Sequence, residues 1–409
     1  MRHSVSALIA LLALSAVACA PRRLPAPHPV GLDAPPRVVG YLFAPAAHAP
    51  GLIAALPAAE LTHINYAFAN ISPAGAMVLG NPCIDVGACD STAALPDTLG
   101  GNLAALAQVK RAHPQLRVLV SVGGWTWSGR FSDIALTDST RRAFVTSAVE
   151  LFLRKWPGLF DGFDVDWEFP VAGGLASNAA RPEDRANYTL LLAELRRQLD
   201  AESARTGRKY TLTIALNAHA PRNDRVELDR LVPLLDWINV MTYDFHGGSP
   251  IANFNAPLHS PAGDPAPSYN VDSSVAMYLA AGVPAEKLVV GVPFYGRAFG
   301  GVGPAHDGLL QPALAPPPPD VTTGGMNYRQ IVAKQLETKG FTRHWDPIAE
   351  VPWLYNPTTG AWITYDDKQS IAAKAAYVHD HALGGIMIWE LSGDEEGLLT
   401  REVSRILTR

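Results

Sequence analysis

The sequence has few cysteines, and its basic residues do not outnumber its acidic ones. Three cysteines among 409 residues are too few for a disulfide-rich scaffold, and no Cys-x-x-Cys pair indicates a zinc site. The 33 Lys and Arg residues are fewer than the 38 Asp and Glu residues, and the formal net charge is −5. Nucleic-acid binding calls for clustered basic residues, so no nucleic-acid partner is expected. We also expect neither a metal ion nor another cofactor.

The first residues have the pattern of a bacterial export signal. Arg2 and His3 precede an apolar run, Val5 to Val17, and small residues lead to Cys19. The run is too short for a membrane span, which needs about 20 apolar residues. A cysteine after Ala-Val-Ala resembles the lipobox of bacterial lipoproteins, although Ala16 stands where leucine is usual. Two outcomes stay open: a cell-envelope lipoprotein lipidated at Cys19, or a secreted protein cleaved before it.

The chain is predicted to comprise a signal, a tether and one large domain. Residues 1–18 are the signal peptide, a Pro-rich tether covers 19–36, and the domain covers 37–409. Cys83 and Cys89 are the cysteines that remain in this domain. Their short separation suits a local disulfide in an oxidising compartment, and two free thiols on a loop are the alternative.

Short apolar runs alternate with longer helical patterns along the domain, as is typical of βα units around a parallel sheet. Eight candidate strands follow this alternation. They are Val38–Phe43, Thr62–Ala69, Arg117–Val122, Phe160–Trp167, Thr211–Leu216, Trp237–Thr242, Leu288–Pro293 and Gly385–Trp389. The pattern predicts an α/β fold, a (β/α)₈ TIM barrel, which takes about 250 residues and expands with insertions.

One interval breaks the alternation. Between the seventh and eighth strands, residues 298–367 exceed the length of an ordinary βα loop. A helical pattern near Tyr328–Thr338 lies between a proline run, Pro316–Pro319, and the aromatic and β-rich pieces Trp353–Tyr355 and Ala361–Tyr365. We therefore predict a small α+β insertion on the face of the barrel that carries the active site.

The fourth predicted strand places three carboxylates at alternate positions. Side chains alternate between the two faces of a strand, so Asp164, Asp166 and Glu168 share one face. In a barrel this face points inward, and the apolar residues between them pack under the helices. Like charges at this range raise proton affinity, so at least one carboxyl should hold a proton near neutral pH. A general acid requires that property.

Glu168 is expected to end its strand, where barrel enzymes place their active sites. It is therefore the candidate general acid. Two alternatives stay open on these residues alone. Clustered carboxylates also suit a hard cation, and a solvated surface strand would need no function, although the apolar opposite face fits that alternative poorly.

The segment Asp161–Glu168, DGFDVDWE, resembles the DGxDxDxE signature of family 18 glycoside hydrolases, the chitinases. Further resemblances follow in the same order as in that family. They are Ser121–Trp125 on the third strand, Met241–Asp244 on the sixth, Tyr295–Arg297 after the seventh and Gly384–Glu390 on the eighth. The resemblance extends from about Val38 to Leu407, and the insertion resembles the chitinase insertion domain.

The resemblance implies a substrate-assisted, retaining hydrolysis of β-1,4-linked N-acetylglucosamine chains. Glu168 would protonate the glycosidic oxygen while the substrate's own N-acetyl carbonyl attacks the anomeric carbon, forming an oxazolinium ion. Asp166 would hold the acetamido N–H, Asp164 would modulate Asp166, and Tyr243 would hydrogen-bond the acetamido oxygen. The expected substrate-binding residues are Trp389, Trp125, Met241, Asp244, Tyr41, Phe68, Ser121, Tyr295 and Arg297.

Some of these residues have structural alternatives. Flat aromatic rings suit the apolar faces of sugars, so Trp389 is expected as the floor of the site and Trp125 as a neighbouring platform. Either could instead pack in the core, as we expect for Trp156 and Trp237. Arg297 would bind sugar hydroxyls or pair with a carboxylate at the barrel rim.

The substrate and the activity also have alternatives. An acetamido pocket would equally suit peptidoglycan fragments or other N-acetylglucosamine glycans. The family includes inactive chitin-binding lectins, but these typically lack the acid, and Glu168 is present here. His219, after the fifth strand, matches no motif of the family and is expected at the rim. We expect an exported, monomeric enzyme.

Overall fold

The computed structural model describes residues 35–49, 51–90, 94–218, 225–319, 321, 326–334, 339–394 and 396–408. The predicted signal peptide, Cys19, most of the tether and His219 lie outside these residues. Among the residues described, no helix is both long and apolar enough to cross a bilayer.

The described chain alternates strands and helices. The strands are β1 (Arg37–Phe43), β2 (His63–Ile71), β3 (Met77–Val78), β4 (Arg117–Gly123), β5 (Gly162–Asp166), β6 (Thr211–Asn217), β7 (Trp237–Met241), β8 (Leu288–Pro293), β9 (Tyr295–Val302), β10 (Ala313–Ala315), β11 (Met326–Asn327), β12 (Thr342–Asp346), β13 (Val351–Asn356), β14 (Ala361–Thr364) and β15 (Gly385–Trp389). The helices are α1 (Ala44–Ala47), α2 (Leu52–Ala55), α3 (Pro82–Val86), α4 (Gly101–Ala112), α5 (Phe131–Ala135), α6 (Asp138–Ala148), α7 (Asp184–Thr206), α8 (Leu228–Leu231), α9 (Val271–Ala280), α10 (Tyr328–Ala333), α11 (Lys368–Asp380) and α12 (Leu398–Leu407). A π-helical segment, Val149–Arg154, extends α6.

Eight of these strands form a closed parallel barrel. Their order is β1-β2-β4-β5-β6-β7-β8-β15, and β15 pairs with β1 to close the ring. The predicted (β/α)₈ TIM barrel is thus confirmed, and all eight predicted strands are present. Leu288–Pro293 and Gly385–Trp389 have their predicted bounds, whereas the strand predicted over Phe160–Trp167 is shorter, at Gly162–Asp166.

Strand β5 buries both of its faces, as strands of a parallel barrel do. Phe163 and Val165 are fully buried in the apolar layer between the strands and the helices. Asp164 is also fully buried, but on the opposite face, inside the barrel. The alternation predicted from the sequence therefore places a charged side chain at the centre of the molecule.

Helix α7 illustrates how the helices outside the barrel pack against its strands. Its buried residues recur every three or four positions, so they line one side of the helix and pack against the barrel. They include Tyr188, Leu192, Leu195 and Leu199. The helix ends at Gly207, whose φ of 70° lies in the left-handed region that favours glycine.

A second sheet lies in the chain between the barrel strands β8 and β15. Its order is β10-β9-β14-β13-β12, its neighbouring strands are antiparallel, and β11 pairs with β9. Phe299, Trp353 and Trp362 belong to a separate buried core on this sheet. The sequence predicted an α+β insertion over 298–367, and the sheet begins earlier because β9 starts at Tyr295.

Helix α3 carries one end of a disulfide between Cys83 and Cys89. Within this short loop Asp85 is buried, and its Oδ1 accepts a hydrogen bond from Tyr66 Oη at 2.5 Å. Because Tyr66 lies on β2, this bond attaches the disulfide loop to the barrel wall.

Candidate active site

The carboxyl end of β5 carries the predicted acidic residues. Asp164 and Asp166 face the barrel interior and are 0% and 4% exposed. Glu168 was predicted to end the strand, but β5 ends at Asp166, and Glu168 lies in the loop just beyond it. This position leaves Glu168 partly exposed. We refer to Asp164, Asp166 and Glu168 together as the carboxylate ladder, and its other two members are buried.

Asp161, the first acidic residue of the DGFDVDWE segment, lies at the opposite end of β5. Its carboxylate accepts hydrogen bonds from Lys110 Nζ at 2.5 Å and from the Val118 amide at 2.8 Å. A third comes from Arg208 Nη2 at 2.7 Å. Asp161 therefore anchors the base of the strand.

Asp164 accepts four hydrogen bonds inside the barrel. Tyr41 Oη and Ser121 Oγ donate to its Oδ2 at 2.6 and 2.7 Å. Thr213 Oγ1 and Asn239 Nδ2 donate to its Oδ1 at 2.6 and 3.1 Å. Burial raises the pKa of Asp164, and these four bonds oppose that shift because they stabilise the carboxylate.

Asp166 has a different environment. Within the described chain, no hydrogen-bond partner reaches its buried Oδ1. Burial raises the pKa of Asp166 well above its ordinary value, and the charges of Glu168 and Asp164 raise it further. A proton on the ladder is therefore held more readily by Asp166 than by Asp164, which is stabilised as an anion.

Glu168 has the pKa that a general acid needs near neutral pH. Burial raises its pKa to about 7, and the charge of Asp244 is the second cause. The Glu168 backbone N–H donates to Ser128 Oγ at 2.8 Å, and its carbonyl oxygen accepts from Asn178 Nδ2 at 3.1 Å. These contacts hold the loop that carries the carboxyl. A carboxyl that titrates near neutrality can deliver a proton in one step and accept one in the next.

Gly123, the last residue of β4, permits a close approach to the ladder. Its φ is 106°, and an added Cβ would lie 2.3 Å from the carbonyl oxygen of Asp166. The following residue, Gly124, donates its N–H to the same oxygen at 2.9 Å. The backbone geometry beside Asp166 therefore requires glycine at position 123.

An aromatic cluster lies beside the ladder. Trp389, the last residue of β15, stacks on Phe68 with ring centroids 5.7 Å apart and an interplanar angle of 23°. Tyr41 contacts the Trp389 ring at 5.5 Å and also donates to Asp164. Tyr41 therefore connects the aromatic cluster to the carboxylates. The partly exposed Trp389 offers a flat apolar surface of the kind that sugar rings contact.

Tyr243 follows β7 and packs in the same cluster as Met241 and Met387. Its hydroxyl contacts Met387 Sδ at 3.8 Å, and its ring lies edge-on to Tyr295 at 6.3 Å. Burial, then Tyr295 and Asp166, raise the pKa of Tyr243 well above its ordinary value. The hydroxyl consequently stays protonated and can donate a hydrogen bond to a ligand.

Asp244 is held by two residues of β9. Tyr295 Oη donates to its Oδ1 at 2.7 Å, and Arg297 Nη2 lies 2.7 Å from both of its oxygens. Of the two alternatives predicted for Arg297, the pairing with a rim carboxylate is present. Because β9 belongs to the second sheet, this ion pair connects that sheet to the barrel rim.

The tryptophans differ in exposure. Trp125, in the loop after β4, is 48% exposed, so it does not pack in the core. Trp156 and Trp237 are buried, as predicted, and so is Trp167, which stacks on Phe131. Trp125 is therefore free to act as a platform beside the site.

Two partners of Asp164 were not predicted from the sequence. Thr213 lies directly opposite Asp164 in the register between β5 and β6. Asn239 occupies an inward position of β7 between apolar neighbours. The inward, polar position of each residue on its strand can be read from the sequence, but its contact with Asp164 depends on the register between strands.

A groove of about 400 Å³ lies beside Asp244, one of the predicted substrate-binding residues. Its lining includes Asp244, Gly248, Arg297, Phe299 and Pro316, so it lies between the barrel rim and the second sheet. Among the residues that the structure describes, no group of three or more His, Cys, Asp or Glu side chains is placed to hold a metal ion.

Comparison with known proteins identifies relatives along most of the chain. Residues 37–394 match the family model for glycosyl hydrolases family 18. The chain is 41% identical to chitinase A1 of Niallia circulans over 406 residues, which cover 90% of this chain and 58% of that protein. It therefore spans little more than half the length of that relative.

Two solved structures are similar in fold. Chitinase ChiW from Paenibacillus, described as a cell-surface-expressed multi-modular enzyme, is 37% identical with a TM-score of 0.81, covering 92% of this chain and 33% of that one. A family 18 N-acetylglucosaminidase from Paenibacillus barengoltzii is 34% identical with a TM-score of 0.77, covering 91% of this chain and 99% of that one.

Proposed function

The chain belongs to family 18 of the glycosyl hydrolases, and we propose that it is a chitinase that cleaves β-1,4-linked N-acetylglucosamine chains. The observation that carries the proposal is the position of Glu168 in the loop directly beyond the buried Asp166, where burial raises the pKa of Glu168 to about 7. Glu168 supplies a protonated acid at neutral pH, and Asp166 lies beside it, where a carboxyl can stabilise a cationic intermediate. Trp389 and Phe68 add an apolar surface for a sugar ring.

In the proposed reaction, the Glu168 carboxyl donates its proton to the glycosidic oxygen as the glycosidic bond breaks. The acetamido carbonyl oxygen of the substrate forms a bond to the anomeric carbon from the opposite side, which gives an oxazolinium ion. Water then attacks the same carbon, opens the ring and gives a proton to the Glu168 carboxylate. Two inversions at one carbon give overall retention.

The other ladder residues stabilise this intermediate. Asp166 holds the acetamido N–H, so the substrate's carbonyl oxygen is aimed at the anomeric carbon. Tyr243, whose hydroxyl stays protonated, donates a hydrogen bond to the acetamido oxygen. Four donors surround Asp164 and stabilise its anion against the effect of burial, and the charge of that anion favours the oxazolinium ion.

The rate is expected to fall as the pH rises through about 7, because the Glu168 carboxyl must carry a proton and loses it above its pKa. The basic limb of the kcat/KM profile reports that group in the free enzyme. Asp244→Asn removes a negative charge that raises the pKa of Glu168, so this limb should move to lower pH. A wild-type profile that stays flat into the alkaline range would contradict the assignment of Glu168 as the acid.

The substrate class is tested by incubating the enzyme with chitin tetramers and hexamers, and separately with peptidoglycan fragments, and by identifying the products by mass. A chitinase releases dimers and longer products from chitin oligomers. The similarity to the Paenibacillus barengoltzii enzyme favours a second candidate, an N-acetylglucosaminidase, which would release single sugars from one chain end. Cleavage of peptidoglycan fragments alone would exclude chitin as the substrate.

We also propose that the second sheet forms one wall of the substrate cleft. The Arg297–Asp244 ion pair places this sheet at the barrel rim, and the groove between them adjoins the site. Such a wall would favour substrates of several sugars over the shortest cleavable ones.

We propose that the chain is exported and that Cys19 is lipidated, a proposal that the N-terminal pattern supports. The similarity to a chitinase described as cell-surface-expressed supports a location outside the cytoplasm. In a bacterial host, radiolabelled palmitate should enter the wild-type chain, and Cys19→Ser should abolish the labelling. Label that persists in Cys19→Ser, or that never enters the wild type, would refute lipidation at Cys19.

A further inference from the structure

Two buried residues, Trp237 and Asn239, lie beneath the ladder, and of these only Asn239 contacts a residue of the proposed reaction. Both lie on β7 and are 2% and 0% exposed. The indole Nε1 of Trp237 donates to Asn239 Oδ1 at 3.0 Å, and Asn239 Nδ2 donates to Asp164 Oδ1 at 3.1 Å. Trp237 was predicted to serve only in packing. Two consecutive hydrogen bonds nevertheless connect it to Asp164, a member of the ladder.

The indole decides which way the Asn239 amide faces. An indole N–H can only donate, so it requires the amide oxygen, and the NH₂ group is then directed at Asp164. The other three hydrogen-bond partners of Asp164 are hydroxyl groups, each of which can turn to accept as well as donate. Among the described residues, Asn239 is thus the partner of Asp164 that cannot reverse its role while Trp237 holds it.

Trp237 is itself fixed at the base of the barrel. The Arg37 guanidinium lies 4.8 Å from the centre of the Trp237 ring, and the His63 ring contacts its edge at 4.7 Å. Arg37 is held in turn by the carbonyl oxygens of Glu286 and Gly384, at 3.1 and 3.3 Å. Burial, followed by the Arg37 charge, lowers the pKa of His63 to about 3, so the imidazole is neutral at the pH of the reaction.

We propose that Trp237 is a positioning residue for the reaction: through the Asn239 amide it keeps Asp164 Oδ1 a hydrogen-bond acceptor, and so directs the proton of the ladder to Asp166. The inference rests on the proposed function, in which an ionised Asp164 favours the cationic intermediate. Among the described residues, the ionisable groups that interact electrostatically with Asp164 are Tyr41 from β1, Asp166 from β5 and Tyr188 from α7. Burial raises the pKa of both tyrosines, so neither carries a charge that would replace the effect of the amide.

Trp237→Phe keeps an aromatic ring but removes the N–H. The Asn239 amide can then rotate and present its oxygen to Asp164, an arrangement that is stable when Asp164 is protonated. The pKa of Asp164 should therefore rise, and the acidic limb of the kcat/KM profile on chitin tetramers should move to higher pH by about half a unit to one unit. Asn239→Asp places a second carboxyl beside Asp164 and should move the same limb further, by about one unit or more.

Trp156→Phe is the matched control. Trp156 is also buried, but it packs in the layer between the strands and the helices, away from the ladder. Both Trp→Phe substitutions should lower the melting temperature. Only Trp237→Phe should shift the acidic limb, because a purely packing role does not change the protonation of Asp164.

A second measurement does not require activity. Burial already raises the pKa of Asp164 in the folded protein above its unfolded value, so its contribution to stability is present at low pH and is lost as the pH rises through the folded pKa. Trp237→Phe and Asn239→Asp raise the folded pKa further. The difference in unfolding free energy between each variant and the wild type should consequently grow as the pH rises through the folded pKa values of Asp164. The difference between Trp156→Phe and the wild type should stay constant with pH.

The two measurements separate the inference from the function on which it rests. A wild type that leaves chitin oligomers intact would refute the proposed function, while the unfolding measurements would still decide the role of Trp237. An unchanged acidic limb in an active Trp237→Phe, together with a pH-independent stability loss, would reduce Trp237 to a packing residue. A shifted limb together with a pH-dependent stability loss supports the positioning role.

Discussion

Glu168→Gln is expected to reduce the hydrolysis of chitin oligomers by about 10²–10⁴-fold, the range for loss of general acid catalysis. The upper part of this range applies because the leaving alkoxide of a sugar is a poor leaving group. Glutamine preserves the shape of the side chain and the contacts of the loop backbone with Ser128 and Asn178. Binding of oligosaccharides, measured by calorimetry, should therefore survive while turnover is lost.

The same variant permits a test of the role of the proton. A nitrophenyl glycoside needs no proton on its leaving group, so Glu168→Gln should retain much more of the bond-breaking rate on this substrate than on chitin oligomers. Glu150→Gln, on the outer surface, is the matched control and should leave both rates unchanged. Near-normal cleavage of chitin oligomers by a well-folded Glu168→Gln would refute the assignment.

Asp166→Asn is expected to lower turnover by about 10²-fold, comparable to the loss of one electrostatic partner of a transition state. Asp166 lies buried between two carboxylates, and in the proposed reaction it holds the acetamido N–H and stabilises the oxazolinium ion. An amide can occupy the same space, but unlike the Asp166 carboxyl it cannot ionise to balance the positive charge as the intermediate forms. The loss should appear in kcat more than in KM.

Asp166→Asn and Glu168→Gln should differ in their response to the leaving group. A nitrophenyl glycoside should not rescue Asp166→Asn, because the intermediate is still poorly stabilised when the leaving group needs no proton. The exposed Asp97→Asn, which alters only a surface pair with Lys155, serves as the control. Equal rescue of both variants by the nitrophenyl substrate would show that Asp166 acts through Glu168 alone.

The barrel could be predicted from the sequence because strands that are buried on both faces are short, continuous apolar runs. Leu288–Pro293 and Gly385–Trp389 are short apolar runs with clear ends, and their observed bounds are those predicted. The inward direction of Asp164 and Asp166 follows from the period of two along a strand. These features depend on neighbouring residues alone.

Contacts between distant strands could not be predicted in the same way. Thr213 and Asn239 reach Asp164 because three strands align in one register, which no local pattern specifies. The loop position of Glu168 was also missed, since the carboxylate alternation continues past the point at which strand pairing ends. The pairing of Arg297 with Asp244 depends on the second sheet meeting the barrel rim.

The most direct test of the proposed reaction is the configuration of the first product. Proton NMR during the early hydrolysis of chitin tetramers by the wild-type enzyme distinguishes the two anomers before they interconvert. An oxazolinium intermediate opened by water predicts that the β-anomer appears first. Initial release of the α-anomer would contradict substrate-assisted catalysis by the ladder of Asp164, Asp166 and Glu168.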